Sequence, residues 1–371
     1  MFQGAYFDST LLAISHWPTV TLPTLSIIQD PLEPQIIQKQ AFAQPLVFFR
    51  LDPCLSILIH SAALSSSLTS LRIRIPDRPV ARALCTAAAY SLSDNNPTTS
   101  LIPPDLVFLD LSTCSILDTE LDMLLVYFTS LQHVILDGCA IPSLRGDLHD
   151  GEYNALGKRC ALAGVRRAKE REKLLKTWLE SRIFPDTMDD NDGSITATGL
   201  LNSRRVKRGR KGLATSTISF RTPSTNLATS STLSFPRPVK KGVPKIRILP
   251  PLPCLLSLSV TVPTVIKADN YPVILAEFEA GWAEGIAQLA VTRARMRTSA
   301  GNGVRVMRLV GREEEEEEVM EGFDGLEYID PDDLDAFETD SRLQAPVLCF
   351  AGADRDGHVS NCGHVIGSIT S

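Results

Sequence analysis

Leu106-Val107-Phe108-Leu109-Asp110-Leu111-Ser112-Thr113-Cys114-Ser115-Ile116 is matched, 25 residues later, by Leu131-Gln132-His133-Val134-Ile135-Leu136-Asp137-Gly138-Cys139-Ala140-Ile141. The apolar residues, the cysteine and the closing isoleucine all keep that offset. A fixed period of roughly 20–29 residues marks a structural unit used more than once. Within each copy the apolar pair Leu109 and Leu111, or Val134 and Leu136, falls two residues apart. An extended strand places such a pair on one face. The chain then turns at Ser112 to Ser115. Cys114 falls where a small, weakly polar side chain fits under the turn and can approach carbonyls the turn leaves unpaired. Between the copies the period changes. Leu121, Leu124, Leu125 and Phe128 lie at i, i+3, i+4 and i+7, which is a helical stripe. Asp118 is expected to cap its start, and Asp122 suits its first turn electrostatically. One such unit cannot bury both of its apolar faces alone, so neighbours are expected to stack.

On these residues the chain resembles the leucine-rich repeats of the ribonuclease-inhibitor-like superfamily, including those of F-box and other adaptor proteins. Leu46-x-x-Phe49-x-Leu51-x-x-Cys54 and Leu68-x-x-Leu71-x-Ile73 fit the same template, and Leu255-x-x-Leu258-x-Val260 is a fainter match. The loop Ser91 to Pro104, rich in Ser, Asn, Thr and Pro, lengthens the interval between the units at 68 and 106. The resemblance implies an α/β fold: an irregular strand-turn-helix array with a parallel sheet, here interrupted by inserts expected to be disordered. It also implies a non-enzymatic protein-protein interaction scaffold with an unknown protein partner. Asp110, Gln132 and Ile135, beside the inward leucines, are the first candidates for its binding face.

The chain's 371 residues are 44% hydrophobic and 22% charged, an ordinary globular composition. Residues 1–45 read as an N-terminal capping segment. Residues 46–185 hold the repeat-like units and end in one long basic helix over 150–183, stopped by Pro185. Residues 186–243 are a basic Ser/Thr-rich insert without periodicity, expected to be disordered. Residues 244–310 continue the array, with strands at 245–249, 255–262 and 304–310 and a helix from 273 to about 297. Residues 311–345 read as an acidic disordered loop opening on Glu313 to Glu318. Residues 346–371 form a C-terminal strand and tail.

The insert carries Arg204, Arg205, Lys207, Arg208, Arg210 and Lys211, a dense run of the kind that import carriers read as a nuclear localisation signal. The basic helix lacks the interleaved aromatics that stack on bases, so nucleic acid is not expected as a partner. The acidic segment spaces Phe323, Leu326, Tyr328, Ile329, Leu334 and Phe337 among its carboxylates, a pattern suited to basic, partly apolar partners such as histones. The alternatives to a scaffold are thus a nuclear histone- or polyanion-binding protein, or a ubiquitin-ligase adaptor with a degenerate or missing F-box.

Eight cysteines include no CxxC pair, which fits free thiols in a reducing compartment. Met1 to Thr19 lacks a basic region followed by an apolar core, and the most apolar window, Leu46 to Leu64, is interrupted by Arg50, Asp52 and Pro53. An intracellular protein, nuclear or cytoplasmic and without a membrane segment, is expected. Cys349, His358, Cys362 and His364 are the only dense set of metal-ligand types. Their spacing, Cys-x8-His-x3-Cys-x-His, matches no common zinc finger, so no metal or other cofactor is expected. Asp354-x-Asp356-Gly357 lacks the later ligands of a calcium loop. No glycine-rich phosphate loop, Gly-x-Ser-x-Gly elbow or His-Glu-x-x-His occurs, and no catalytic residue is assigned.

Overall fold

The computed structural model describes residues 12–16, 21–28, 55, 57–58, 61, 67–93, 105–139, 141, 151–183, 245–262, 268–310, 326–330, 332–339, 343–350 and 358–369. One compact unit comprises Met1–Glu180 with Pro244–Ser371, and Ser181–Val243 form another. The candidate localisation run at 204–211 lies outside the described residues, as does Asp354 to Gly357.

The fold is α/β and is built on a six-stranded, wholly parallel sheet. Its strands are β1 (Thr24–Ile28), β2 (Ser70–Arg74), β3 (Phe108–Asp110), β4 (His133–Leu136), β6 (Ser257–Val260) and β9 (Val347–Cys349), side by side in chain order. The two quoted copies are neighbours in register, with Leu109 opposite Val134. The row extends through Leu25, Leu71, Leu109, Val134, Leu258 and Leu348. The template positions 71, 109, 134 and 258 are therefore equivalent in space. The strand beside β2 is Thr24–Ile28, within the expected capping segment; the match at Leu46 to Cys54 lies outside the described residues.

This apolar row faces a layer of helices: α1 (Val80–Ser93), α2 (Asp118–Tyr127), α3 (Glu152–Ala161) and α5 (Tyr271–Gly301). Leu84, Leu124, Leu156 and Phe278 meet Leu71, Leu109, Val134 and Leu258 in one continuous core. Under the turns, the Cys114 thiol donates to the carbonyl of Ile73 at 3.3 Å, and the Cys139 thiol donates to that of Leu111 at 3.1 Å. Each unit thus ties its turn to the equivalent residue of the unit before it. At the start of α2 the backbone N–H of Leu117 donates to Glu120 Oε2 at 2.9 Å, so Glu120 closes this end in place of Asp118. Asp118 instead pairs with Arg159. The packing of α3 on α5 is unusually close: a Cβ on Gly157 would lie 2.1 Å from the Phe278 carbonyl oxygen, and one on Gly281 would lie 1.9 Å from that of Asn154.

The expected single helix over 150–183 is two, α3 and α4 (Ala163–Ile183), broken at Leu162. Several of its cations meet internal partners: Lys158 meets Glu284 at 2.6 Å, and Arg166 meets Asp122 at 2.7 Å. Ala168 and Leu175 of α4 cover a second sheet of β5 (Ile246–Ile248), β7 (Arg305–Leu309) and β8 (Leu326–Tyr328). β8 and α6 (Leu334–Phe337) correct the reading of 311–345 as a disordered loop. Leu326, Ile329 and Phe337 are buried there. Arg293, itself buried, donates to the carbonyls of Pro250 and Ala336, each at 2.6 Å, and so fastens this segment to α5. Among the described residues, no helix is long and apolar enough to cross a membrane.

Candidate functional site

Because side chains alternate along a strand, the sheet's other face carries a different set. One row reads Ser26, Arg72, Asp110, Ile135, Ser259 and Cys349; the next reads Ser70, Phe108, His133, Ser257 and Val347. Asp110 has no exposed surface. It accepts hydrogen bonds from Arg74 Nη2 at 2.6 Å and the Ser112 hydroxyl at 2.6 Å, and forms an ion pair with Arg72 Nε at 3.1 Å. His133 Nδ1 lies 2.8 Å from Ser257 Oγ, and burial pushes this imidazole's pKa down.

Across this polar face lies the C-terminal helix α7 (Gly363–Ile369), against β4 and β6. Two glycines one turn apart let it come down flat. A Cβ on Gly363 would stand 3.1 Å from Ile135 Cγ1, and one on Gly367 would stand 2.7 Å from Phe108 Cζ. Arg72 Nη2 donates to the Gly367 carbonyl at 3.2 Å. Asp110 and Ile135, expected on an open binding face, are buried, and Gln132 is half-buried.

At the C-terminal end of this face four side chains converge. Cys349 ends β9, Cys362 directly precedes α7, His364 is in its first turn, and His358 approaches along the preceding chain. Cys349 Sγ lies 3.6 Å from His358 Nδ1 and 3.8 Å from His364 Nδ1, and Cys362 Sγ lies 3.9 Å from the same His364 nitrogen. Both thiols are buried, while the imidazoles are half-buried. The rings of His358 and His364 stack with centroids 4.5 Å apart. His364 turns its other nitrogen, Nε2, to the carboxylate of Asp137, two residues beyond Ile135 on the same side of β4. Ser259 Oγ also stands 3.3 Å from His364 Nδ1. Burial works against a charge on His364, but hydrogen bonds to Asp137, Cys349 and Cys362 outweigh it and raise its pKa to about 10.

The sequence singles out the four Cys and His residues, and the fold brings them together. Asp137 and Ser259 escape the sequence reading, since 227 residues separate Asp137 from His364. The signal that was available is the register: Asp137 directly follows Leu136 of the second repeat copy, and Ser259 follows Leu258 of the fainter match. Chemically, two thiols and two imidazole nitrogens facing one point make a soft donor set, with a carboxylate orienting one of the rings.

No family model matches this chain, and neither a curated protein nor a solved structure matches it.

Proposed function

We propose that the chain is a non-enzymatic partner-binding scaffold of leucine-rich-repeat type. The observation that carries this reading is the in-register stacking of successive units. Equivalent template positions stand side by side in one parallel sheet, and each turn cysteine reaches back to the preceding unit. Such an array grows along one axis and offers an extended surface to another protein. Its loops carry exposed apolar side chains, Leu117 just before α2 and Leu256 just before β6.

The test is affinity capture of the full chain from cell extract, followed by cross-linking and mass spectrometry. The expected result is a protein partner retained in near-stoichiometric amount, with cross-links on the turns that join strands to helices. Retention of nothing beyond a tag-only bait would count against a scaffold. Capture of the linker protein that F-box proteins bind would move the function to a ubiquitin-ligase adaptor. Capture of histones through residues 313–340 would move it to an acidic histone-binding protein.

A further inference from the structure

We propose that Cys349, His358, Cys362 and His364 form a closed four-ligand zinc(II) site that fastens the C-terminal helix α7 across the polar face of the sheet. The spacing of the donor atoms suits a single tetrahedral ion. With zinc–sulfur bonds near 2.3 Å and zinc–nitrogen bonds near 2.0–2.1 Å, the donor atoms at the corners of such a site stand about 3.4–3.8 Å apart. Three sulfur–nitrogen pairs are 3.6, 3.8 and 3.9 Å apart, in the upper part of that span or just beyond it. All four ligand atoms fall within 4.8 Å of one another.

Hydrogen bonding alone accounts poorly for this cluster. A thiol is a weak donor, and three of the contacts converge on only two imidazole nitrogens. A disulfide between Cys349 and Cys362 would draw the two sulfurs together to about 2.05 Å and leave both histidines facing it without purpose. Zinc uses all four groups at once.

The independent observation is Asp137. A metal-bound histidine usually gives its second ring N–H to a carboxylate, which fixes the tautomer and the ring's orientation. His364 does this with Asp137 while its Nδ1 faces the two sulfurs. Binding releases the proton of each thiol and any proton on the Nδ1 atoms to solvent. It leaves two thiolates, two neutral imidazoles and the Nε2–H of His364 donated to Asp137. With four protein ligands, no position stays open for water or substrate, so the role is structural. The consequence for the fold is local. β9 and α7 are joined at the sheet's far edge, and Gly363 and Gly367 are held over Ile135 and Phe108.

The full chain, purified under reducing conditions without added chelator, is examined by elemental analysis. One zinc per chain is expected. Replacement by cobalt(II) should give the intense visible bands of a tetrahedral ion together with a thiolate charge-transfer band. Cys349→Ser and Cys362→Ser should abolish stoichiometric binding, whereas Cys254→Ser, at an exposed thiol outside the cluster, should retain it. Asp137→Asn should weaken zinc about 10–100-fold, the loss usual for a second partner of a ligating histidine. Two readouts on the unmodified chain remain even if the variants fail to fold. Chelation should expose Cys349 and Cys362 to alkylation and should speed amide exchange in α7. A folded chain that holds no zinc and gives no cobalt spectrum would overturn the site. So would a Cys349–Cys362 disulfide under those conditions, or unchanged zinc in the Cys349→Ser/Cys362→Ser double variant. Capture of a partner protein tests the scaffold separately, because metal content is read on the isolated chain.

Discussion

The two faces of the six-stranded sheet solve opposite problems. On the helix-covered face every strand contributes the same kind of side chain, and Leu71, Leu109, Val134 and Leu258 bury one another in a row. On the other face five neighbouring strands contribute different side chains: arginine, aspartate, isoleucine, serine and cysteine stand in a single row. Burial of alike apolar residues stabilises without regard to direction, so it tolerates repetition. Buried polar groups need particular partners, so they must differ from strand to strand. The apolar face makes the array, and the polar face makes this chain individual.

The largest expected effect separates the faces most sharply. Leu109→Ala removes a fully buried side chain from the middle of the apolar row. It should cost about 2–5 kcal/mol in denaturant unfolding, because neighbours on both sides cannot collapse into the gap. A cost below about 1 kcal/mol would mean that the units do not support one another.

Asp110→Ala tests the polar face in the same strand. It leaves Arg72 and Arg74, which are 20% and 32% exposed, without the carboxylate they share. Removing one partner of a buried pair costs about 3–5 kcal/mol, and partial hydration of both guanidinium groups places this case near or below 3. Restoring the loss by also replacing both arginines with apolar residues would show that the network serves placement more than stability.

Gly367→Ala asks whether α7 belongs to the core. The added methyl group would stand 2.7 Å from Phe108 Cζ and 3.0 Å from Arg72 Nη2. Overpacking of this kind costs about 1–3 kcal/mol, and a short terminal helix can yield at the lower end. Amide exchange should quicken within α7 while the unfolding midpoint of the sheet stays nearly constant. A matching fall in global stability would make α7 part of the cooperative unit.

How much of this was legible follows from the same contrast. The spacing Leu-x-x-Leu-x-Leu is local, and it located β2, β3, β4 and β6 with the correct inward residues. The same spacing occurs at Leu22-x-x-Leu25-x-Ile27, which is β1 and escapes the sequence reading, while the match at 46–51 lies outside the described residues. Only β3 and β4 follow one another at the 25-residue period; long inserts separate the other strands, so the array's length was not readable. Helix length was overread at Leu162, where the composition stays helical across the break. The acidic run hid β8 and α6, because the buried apolar side chains Leu326, Ile329 and Phe337 are diluted by carboxylates. Of the candidate site, the four Cys and His residues were visible as a set. Their convergence was not, since it depends on which strand lies beside β9 and on a carboxylate supplied from β4's end.

The smallest expected effect bears on the joints of the array. Cys114→Ala and Cys139→Ala each delete a thiol that reaches the carbonyl of the preceding unit. Each should cost about 1 kcal/mol, the usual net value of one buried hydrogen bond. The similarity of the two values is the informative part, because the same interaction recurs one period apart. Burial pushes the Cys114 thiol up to about 11 and moves Cys139 in the same direction. In the folded chain both thiols therefore stay protonated and should be silent to thiol reagents at pH 8, then react once denaturant is added. Because the folded value lies above the ordinary thiol value of 9.0, the stability linked to Cys114 is fully present below that pH. It falls as the pH rises toward about 11, and in Cys114→Ala that part of the alkaline loss should vanish while the part due to Cys139 remains. Rapid reaction of either thiol in the native chain at pH 8 would mean that the turns open independently of the sheet and that the units are not locked to one another.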